Sequence, residues 1–308
     1  MEELEQAWDN YCGGDYKDFE LSNEALDVPT PKCSELYIST KTKISYLNKK
    51  IDLNNVFWKI PVISYHIPEE GVIKKQMKFN SLSQDDLNIV TKQIDREKLT
   101  TNNHIDEYII HQNKTTTNRN DFKDVRKISI GLSKKDITSY KCKKKSAFYN
   151  CFVVILRIKH ENIFKEHSVK VFNTGKLQIP GIQTDDTLNK ILDLLVEILS
   201  PFCCNTEPLI YVKDKHQTVL INSNFNCGYF IDREKLYNIL KYSYNINSAY
   251  DPCSYPGIQC EFYYLVNSDV SQTGKQPTIM NEDVMKISFM IFRTGSVLIV
   301  GKCSEDII

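Results

Sequence analysis

One stretch of this chain occurs twice. Val171-Phe172-Asn173-Thr174-Gly175-Lys176-Leu177-Gln178-Ile179-Pro180-Gly181 returns 120 residues later as Ile291-Phe292-Arg293-Thr294-Gly295-Ser296-Val297-Leu298-Ile299-Val300-Gly301. An upstream pair, Ile51-Asp52-Leu53-Asn54-Asn55-Val56 and Ile231-Asp232-Arg233-Glu234-Lys235-Leu236, is offset by 180. The halves therefore read as one repeated module, with about 60 extra residues in the first copy. Two copies are too few for a solenoid, which needs about three stacked units to bury a continuous core, so a pseudo-twofold pair forming one body is expected.

Local patterns fill in the module. Residues 1–36 lack periodicity and read as a flexible acidic tail, residues 37–200 as the first copy with an insertion at about 67–146, and residues 201–308 as the second copy. Tyr37 to Leu47 alternates like a strand, and Asp52 opens a short helix that stops before Pro61. The insertion is polar, with scattered pieces at Asp85 to Ile94, Asp106 to Ile110 and Val125 to Ile130. Beyond it, strands are expected at Phe152 to Ile158, Ser168 to Phe172 and Lys176 to Ile179, with Gly175 supplying the positive φ of a tight hairpin. Thr184 or Asp185 then caps a helix whose Leu188, Ile191, Leu192, Leu195, Ile198 and Leu199 recur at three and four. The second copy repeats a strand at Thr218 to Phe225, a helix at Asp232 to Tyr242, a strand at Gly257 to Leu265 and a hairpin at Lys286 to Gly301. It lacks the closing helix.

Charge is segregated although the net charge is zero. Residues 1–30 hold nine acids against Lys17, whereas residues 121–160 hold eleven bases against three acids, with Lys141, Lys143, Lys144 and Lys145 together. That division fits either two solvated charge runs or a polyanion partner with an internal mimic of it. The ten cysteines form no Cys-x-x-Cys pair, and His160 and His167 near Cys151 match no zinc spacing, so reduced thiols, no metal and a reducing intracellular setting are expected. No apolar run suits a membrane span, and neither a catalytic arrangement nor a cofactor motif is found. Asp52 and Asp232 recur, but as helix caps.

Alternation in the second hairpin puts Ile287, Phe289, Ile291, Val297 and Ile299 on one face, and Ser288, Met290, Phe292, Thr294, Ser296, Leu298 and Val300 on the other. The second set is still apolar enough to need a cover. Its counterpart in the first copy is Lys170, Phe172, Thr174, Lys176, Gln178 and Pro180, where apolar and basic residues mix. Phe172 and Phe292 sit beside the two hairpin tips, where an aromatic ring either packs inside the hairpin or serves as a wedge between stacked bases.

These residues resemble the TATA-box-binding protein family, and most of all its divergent forms in giant DNA viruses. The resemblance covers about residues 37–66 and 147–308, carried by Cys151 to Ile158, Phe172 to Gly181, Tyr250-Asp251-Pro252-Cys253-Ser254-Tyr255-Pro256-Gly257 and Phe292 to Glu305. It implies an α+β saddle: two repeats forming one curved antiparallel sheet, helices on the convex face and double-stranded DNA on the concave face. By position it implies that Phe172, Phe292 and Tyr255 wedge into A·T-rich minor-groove steps. It implies that Arg157 contacts phosphate, that Lys176, Thr174, Thr294, Leu298 and Val300 line the DNA, and that Asp251 docks a factor bridging to RNA polymerase. Cys151 falls on the fourth wedge position, with Phe148, Tyr149 or Phe152 reaching it only by a change of register. Glu261 stands at the second equivalent of Arg157 and Ser296 at that of Lys176; Asn222 is a candidate minor-groove asparagine.

The implied function is a viral transcription initiation factor that binds and bends promoter DNA, located in a viral factory, a nucleus or a virion. The alternative is a protein-interaction scaffold of the same fold in a viral transcription complex, with little or no DNA binding. No enzyme activity is expected.

Overall fold

The computed structural model describes residues 31–113, 122–139, 148–203, 207–266, 272–280 and 283–308. The acidic run of residues 1–30 and the Lys141 to Lys145 cluster lie outside them.

The chain folds around one antiparallel sheet. Its first half supplies β1 (Tyr37–Tyr46), β2 (Gly71–Ser81), β3 (Ile105–Asn113), β4 (Lys123–Gly131), β5 (Cys151–His160), β6 (Ile163–Phe172) and β7 (Lys176–Ile182). The second half supplies β8 (Gln217–Asn226), β9 (Asn247–Ala249), β10 (Ile258–Leu265), β11 (Val284–Ile291) and β12 (Ser296–Gly301). These order as β3-β4-β2-β5-β6-β7-β1-β8-β12-β11-β10-β9. About the central β1–β8 pair the order is palindromic: β2-β5-β6-β7-β1 on one side mirrors β9-β10-β11-β12-β8 on the other. The α+β class and the single antiparallel sheet are as expected.

One expectation needs correction. The polar stretch read as an insertion begins with β2, an eleven-residue strand that pairs with β5 and takes the place β9 holds beside β10. Only the hairpin β3–β4 lies outside that palindrome, at one edge. The alternation of β2 was hidden because lysines occupy both of its faces.

The helices begin where their caps dictate. In α1 (Leu53–Lys59) the Asp52 carboxylate accepts from the Asn55 N–H at 3.2 Å, and in α5 (Arg233–Asn238) Asp232 accepts from Glu234 and Lys235 N–H at 3.1 Å each. Ser83 and Asp86 form a reciprocal capping box at the start of α2 (Gln84–Thr100), while at α3 (Lys134–Thr138) the Asp136 carboxylate accepts from the Ser133 N–H at 2.8 Å and from the Ser133 hydroxyl at 2.6 Å. Thr184 accepts from Thr187 N–H at 3.3 Å ahead of α4 (Asp185–Cys203). The α4 stripe Leu188, Ile191, Leu192, Leu195 and Leu199 is buried with Val56 and Phe57 of α1 against Phe152, Val154, Leu156, Ile158, Val169, Val171, Leu177 and Ile179 of the sheet. The second half has a smaller cluster, Ile287, Val297, Ile299 and Cys303, and ends in a short 3-10 turn at Glu305–Ile307.

Two buried polar groups stand out in this covered face. Lys75 of β2 is 1% exposed; its ammonium donates to the carbonyls of Ile60 (2.8 Å) and Trp58 (3.2 Å) at the end of α1, and lies 3.5 Å from Glu97 of α2. Burial pushes the Lys75 ammonium below the usual lysine range, and Glu97 offsets part of that. His167 of β6 is buried beside His160, ring centres 5.7 Å apart, and the Nε2 atoms of both lack a partner.

Burial, with the neighbouring His160 and Lys165, lowers the His167 imidazole to about 4. Near pH 7 it is neutral both folded and unfolded, so nothing is lost. As pH falls through about 6.5 the unfolded chain takes up the proton first, and stability is lost down to about pH 4, a total of roughly 3 kcal/mol. Urea unfolding between pH 7 and 4 is expected to show this loss in the wild type and a shallower slope in His167→Leu; parallel slopes would contradict it.

Candidate nucleic-acid interface

The face opposite the helices is the one the alternation assigns to a partner. Val169, Val171, Leu177 and Ile179 are fully buried beneath it, whereas Lys170, Phe172, Lys176, Gln178 and Pro180 are half-buried on it. In the second half Leu298 and Val300 lie on the open face directly across from Asn224 and Asn222 of β8. The Asn222 amide donates to the Thr40 hydroxyl of β1 at 3.2 Å, so the middle of the face carries amides and hydroxyls. Thr174 and Thr294 are exposed at the two hairpin tips.

Each tip is built the same way. Gly175 (φ +83°) and Gly295 (φ +80°) adopt left-handed backbone, and a Cβ on either would meet a carbonyl at 2.3 Å, that of Lys49 or of Tyr229. Glycine is required there, which places Phe172 and Phe292 at matching points of the two rims. Phe292 packs against Tyr255, ring centres 5.9 Å apart, over the small Gly257, whose added Cβ would lie 3.1 Å from both rings. The second rim therefore carries an aromatic pair.

The first rim carries more aromatics than the motif match alone assigns. Lys176 Nζ is 5.9 Å from the Phe172 ring centre. Cys151, directly across from Phe172, is buried and cannot act as a wedge. Just before it, Phe148 (59% exposed) and Tyr149 (54% exposed) each lie against a lysine, with the half-buried Lys170 Nζ 4.5 Å from the Phe148 ring and the buried Lys78 Nζ 3.5 Å from the Tyr149 ring. The signal was present in the sequence as an aromatic pair flanking β5, but only the fold sets it on this rim.

Other expected positions behave differently. Arg157 is corrected outright: it is 6% exposed, and its guanidinium donates to the backbone carbonyls of Glu69 (2.9 Å), Tyr65 (2.8 Å) and Ile67. It also lies over the Tyr65 and Phe164 rings, so it fastens the 65–69 loop and is not available to a phosphate. Asp251 is exposed, but its carboxylate accepts from the Cys253 N–H at 3.0 Å and from the Ser254 hydroxyl. The Ser254 bond holds that carboxyl below the usual range, and the turn it closes delivers Tyr255 to the rim, since Tyr255 N–H donates to the Asp251 carbonyl at 2.9 Å. Glu261, on the outer part of the second half, accepts from Lys286 and Asn247 at 2.7 Å each and from the Tyr263 hydroxyl at 3.0 Å. Lys286 lowers its carboxyl, so it stays charged and its lysine partner is spent on it.

The open face is thus lopsided. Lysines concentrate in the first half, where Lys170 and Lys176 are half-buried on the face and Lys78 is buried against the Tyr149 ring; amides occupy the centre, and apolar residues with one neutralised ion pair the second half. Among the described residues no group of three or more metal-ligating side chains occurs, and no helix is long and apolar enough to cross a membrane.

No family model matches the chain. It is similar to a protein of Acanthamoeba polyphaga mimivirus described as TATA-box-binding protein-like, with 26% identity over 181 residues, 54% of this chain and 47% of that protein. The chain therefore spans about half the length of the curated relative it matches. Among solved structures it is similar to Methanococcus jannaschii TBP, at 11% identity and a TM-score of 0.39, with 89% of this chain and 90% of that chain covered.

Proposed function

We propose that this chain is a TATA-box-binding-protein-like transcription initiation factor that holds double-stranded DNA on its open face and bends it from the minor groove. The observation that carries the proposal is the pair of matching rims: Phe172 with Phe148 and Tyr149 at one, Phe292 with Tyr255 at the other, and a face of lysines, amides and small apolar residues between them. A wedge at each end unstacks a base step at a cost of a few kcal/mol, which wrapped surface and phosphate contacts offset. The named relative, itself described as TATA-box-binding protein-like, supports the same reading. Minor-groove readout separates A·T from G·C and little more, which suits a face whose central polar groups are Asn222, Asn224 and Thr40. Asp251 and the exposed turn around it are proposed as the dock for a factor bridging to RNA polymerase, and the site of action is a virus-directed transcription complex.

An electrophoretic shift with A·T-rich and G·C-rich duplexes at two salt concentrations tests this. The A·T-rich duplex is expected to bind more tightly, with affinity falling as salt rises, and Lys170→Ala or Lys176→Ala to flatten the log–log salt slope by about 1 each. Failure to shift either duplex at low salt would refute it.

A second reading has its own support. Arg157 is occupied by backbone carbonyls and Lys286 by Glu261, so two of the places where phosphate would be gripped are closed. On that reading the face is a protein-interaction scaffold, and partners captured from nuclease-treated lysate would remain bound.

A further inference from the structure

The segment leading into β1 runs beside the end of β8. Ser34 N–H donates to the Asn226 carbonyl at 2.8 Å, and the Ser34 hydroxyl accepts from Asn226 N–H at 2.8 Å. Two residues away on each side, the Lys32 carbonyl lies 3.0 Å from the point a Cβ on Gly228 would occupy. With residue 34 against 226 and 32 against 228, the residues between them, Cys33 and Cys227, stand opposite one another. Opposed residues flanked by such contacts in antiparallel chains have Cα atoms about 4.5–5.5 Å apart, inside the span of about 4.4–6.8 Å that a disulfide bridges.

The two thiols differ in access. Cys33 is exposed and Cys227 half-buried. Burial raises the Cys227 thiol, and the proximity of Cys33 raises it further. The Cys227 N–H donates to the Gly295 carbonyl at 2.9 Å, which connects this position to the hairpin tip between Phe292 and Ser296.

We propose that Cys33 and Cys227 are a redox-sensitive pair whose disulfide ties the segment preceding β1 to the second rim of the open face. A small-molecule disulfide such as oxidised glutathione is the oxidant. The Cys33 thiolate attacks one of its sulfurs and releases one reduced glutathione; the Cys227 thiolate then attacks the Cys33 sulfur of the mixed disulfide and releases the second. Two protein thiols are oxidised, one disulfide is reduced, and each attacking thiol gives its proton to solvent or to the departing thiolate. A tie at this point would fix the Lys32 to Ser34 segment beside the rim that carries Phe292.

Oxidised glutathione added to the full chain, followed by alkylation and non-reducing peptide mass mapping, tests the proposal without reference to DNA. A Cys33–Cys227 cross-linked peptide is expected, reversed by reductant, and Cys227→Ser is expected to trap Cys33 as the glutathione adduct. Cys33 remaining as an adduct in the wild type would overturn it. So would a bond from Cys227 to Cys303, which shares its apolar cluster.

Discussion

Alanine at both Phe172 and Phe292 is expected to abolish the bending of a duplex labelled at its two ends, read as loss of energy transfer between the labels on protein addition. Both rings are half-buried on the open face and sit outside the main apolar cluster. Their removal therefore touches the rims more than the core. A base stacked on an aromatic ring is worth about 1–3 kcal/mol, so losing one at each rim lowers affinity on the order of 100-fold or more, with the fold retained. The single variants separate the two ends. Phe292→Ala leaves Tyr255 without its ring partner, whereas Phe172→Ala leaves Phe148 and Tyr149 in place, so the second rim is expected to suffer more. Bending unchanged in the double variant would remove the wedge role from both rings.

The second large effect is structural. Lys75→Ala is expected to cost about 3–5 kcal/mol of unfolding free energy, because Glu97 is left as a carboxylate with its buried partner gone and the Trp58 and Ile60 carbonyls lose their donor. These carbonyls close α1, where a helix end leaves acceptors unsatisfied and welcomes a cation. Lys75→Met keeps most of the side-chain volume and is expected to cost less. Urea unfolding at neutral pH measures both, and a Lys75→Ala loss below about 1 kcal/mol would show that this ammonium does not join β2, α1 and α2.

That lysine also shows why β2 escaped notice in the sequence. The strand reads Gly-Val-Ile-Lys-Lys-Gln-Met-Lys-Phe-Asn-Ser, and a lysine in a covered position looks like a solvated one until its carboxylate, 22 residues away in α2, is placed against it. Arg157 failed for the same reason in the opposite sense. By position it matched a phosphate contact, but three carbonyls from a loop about 90 residues earlier had already taken its donors. Phe148 and Tyr149 were visible as aromatics, and their place on the first rim follows from the pairing of β5 with β6 and from the lysines Lys78 of β2 and Lys170 of β6.

What the chain determined locally was the doubled hairpin with its obligatory glycines, the Asp caps of α1 and α5, the apolar stripe of α4 and the two faces of β6, β7, β11 and β12. Each depends on residues within a few positions of one another, where steric limits on φ, the period of side-chain direction and the orphan amides of a helix start act directly. What only the tertiary structure decided was which charges are spent inside the protein and which face outward. The free energy of a buried or open-face cation is set by the partner it meets, and for Lys75 and Arg157 that partner arrives from a distant part of the chain.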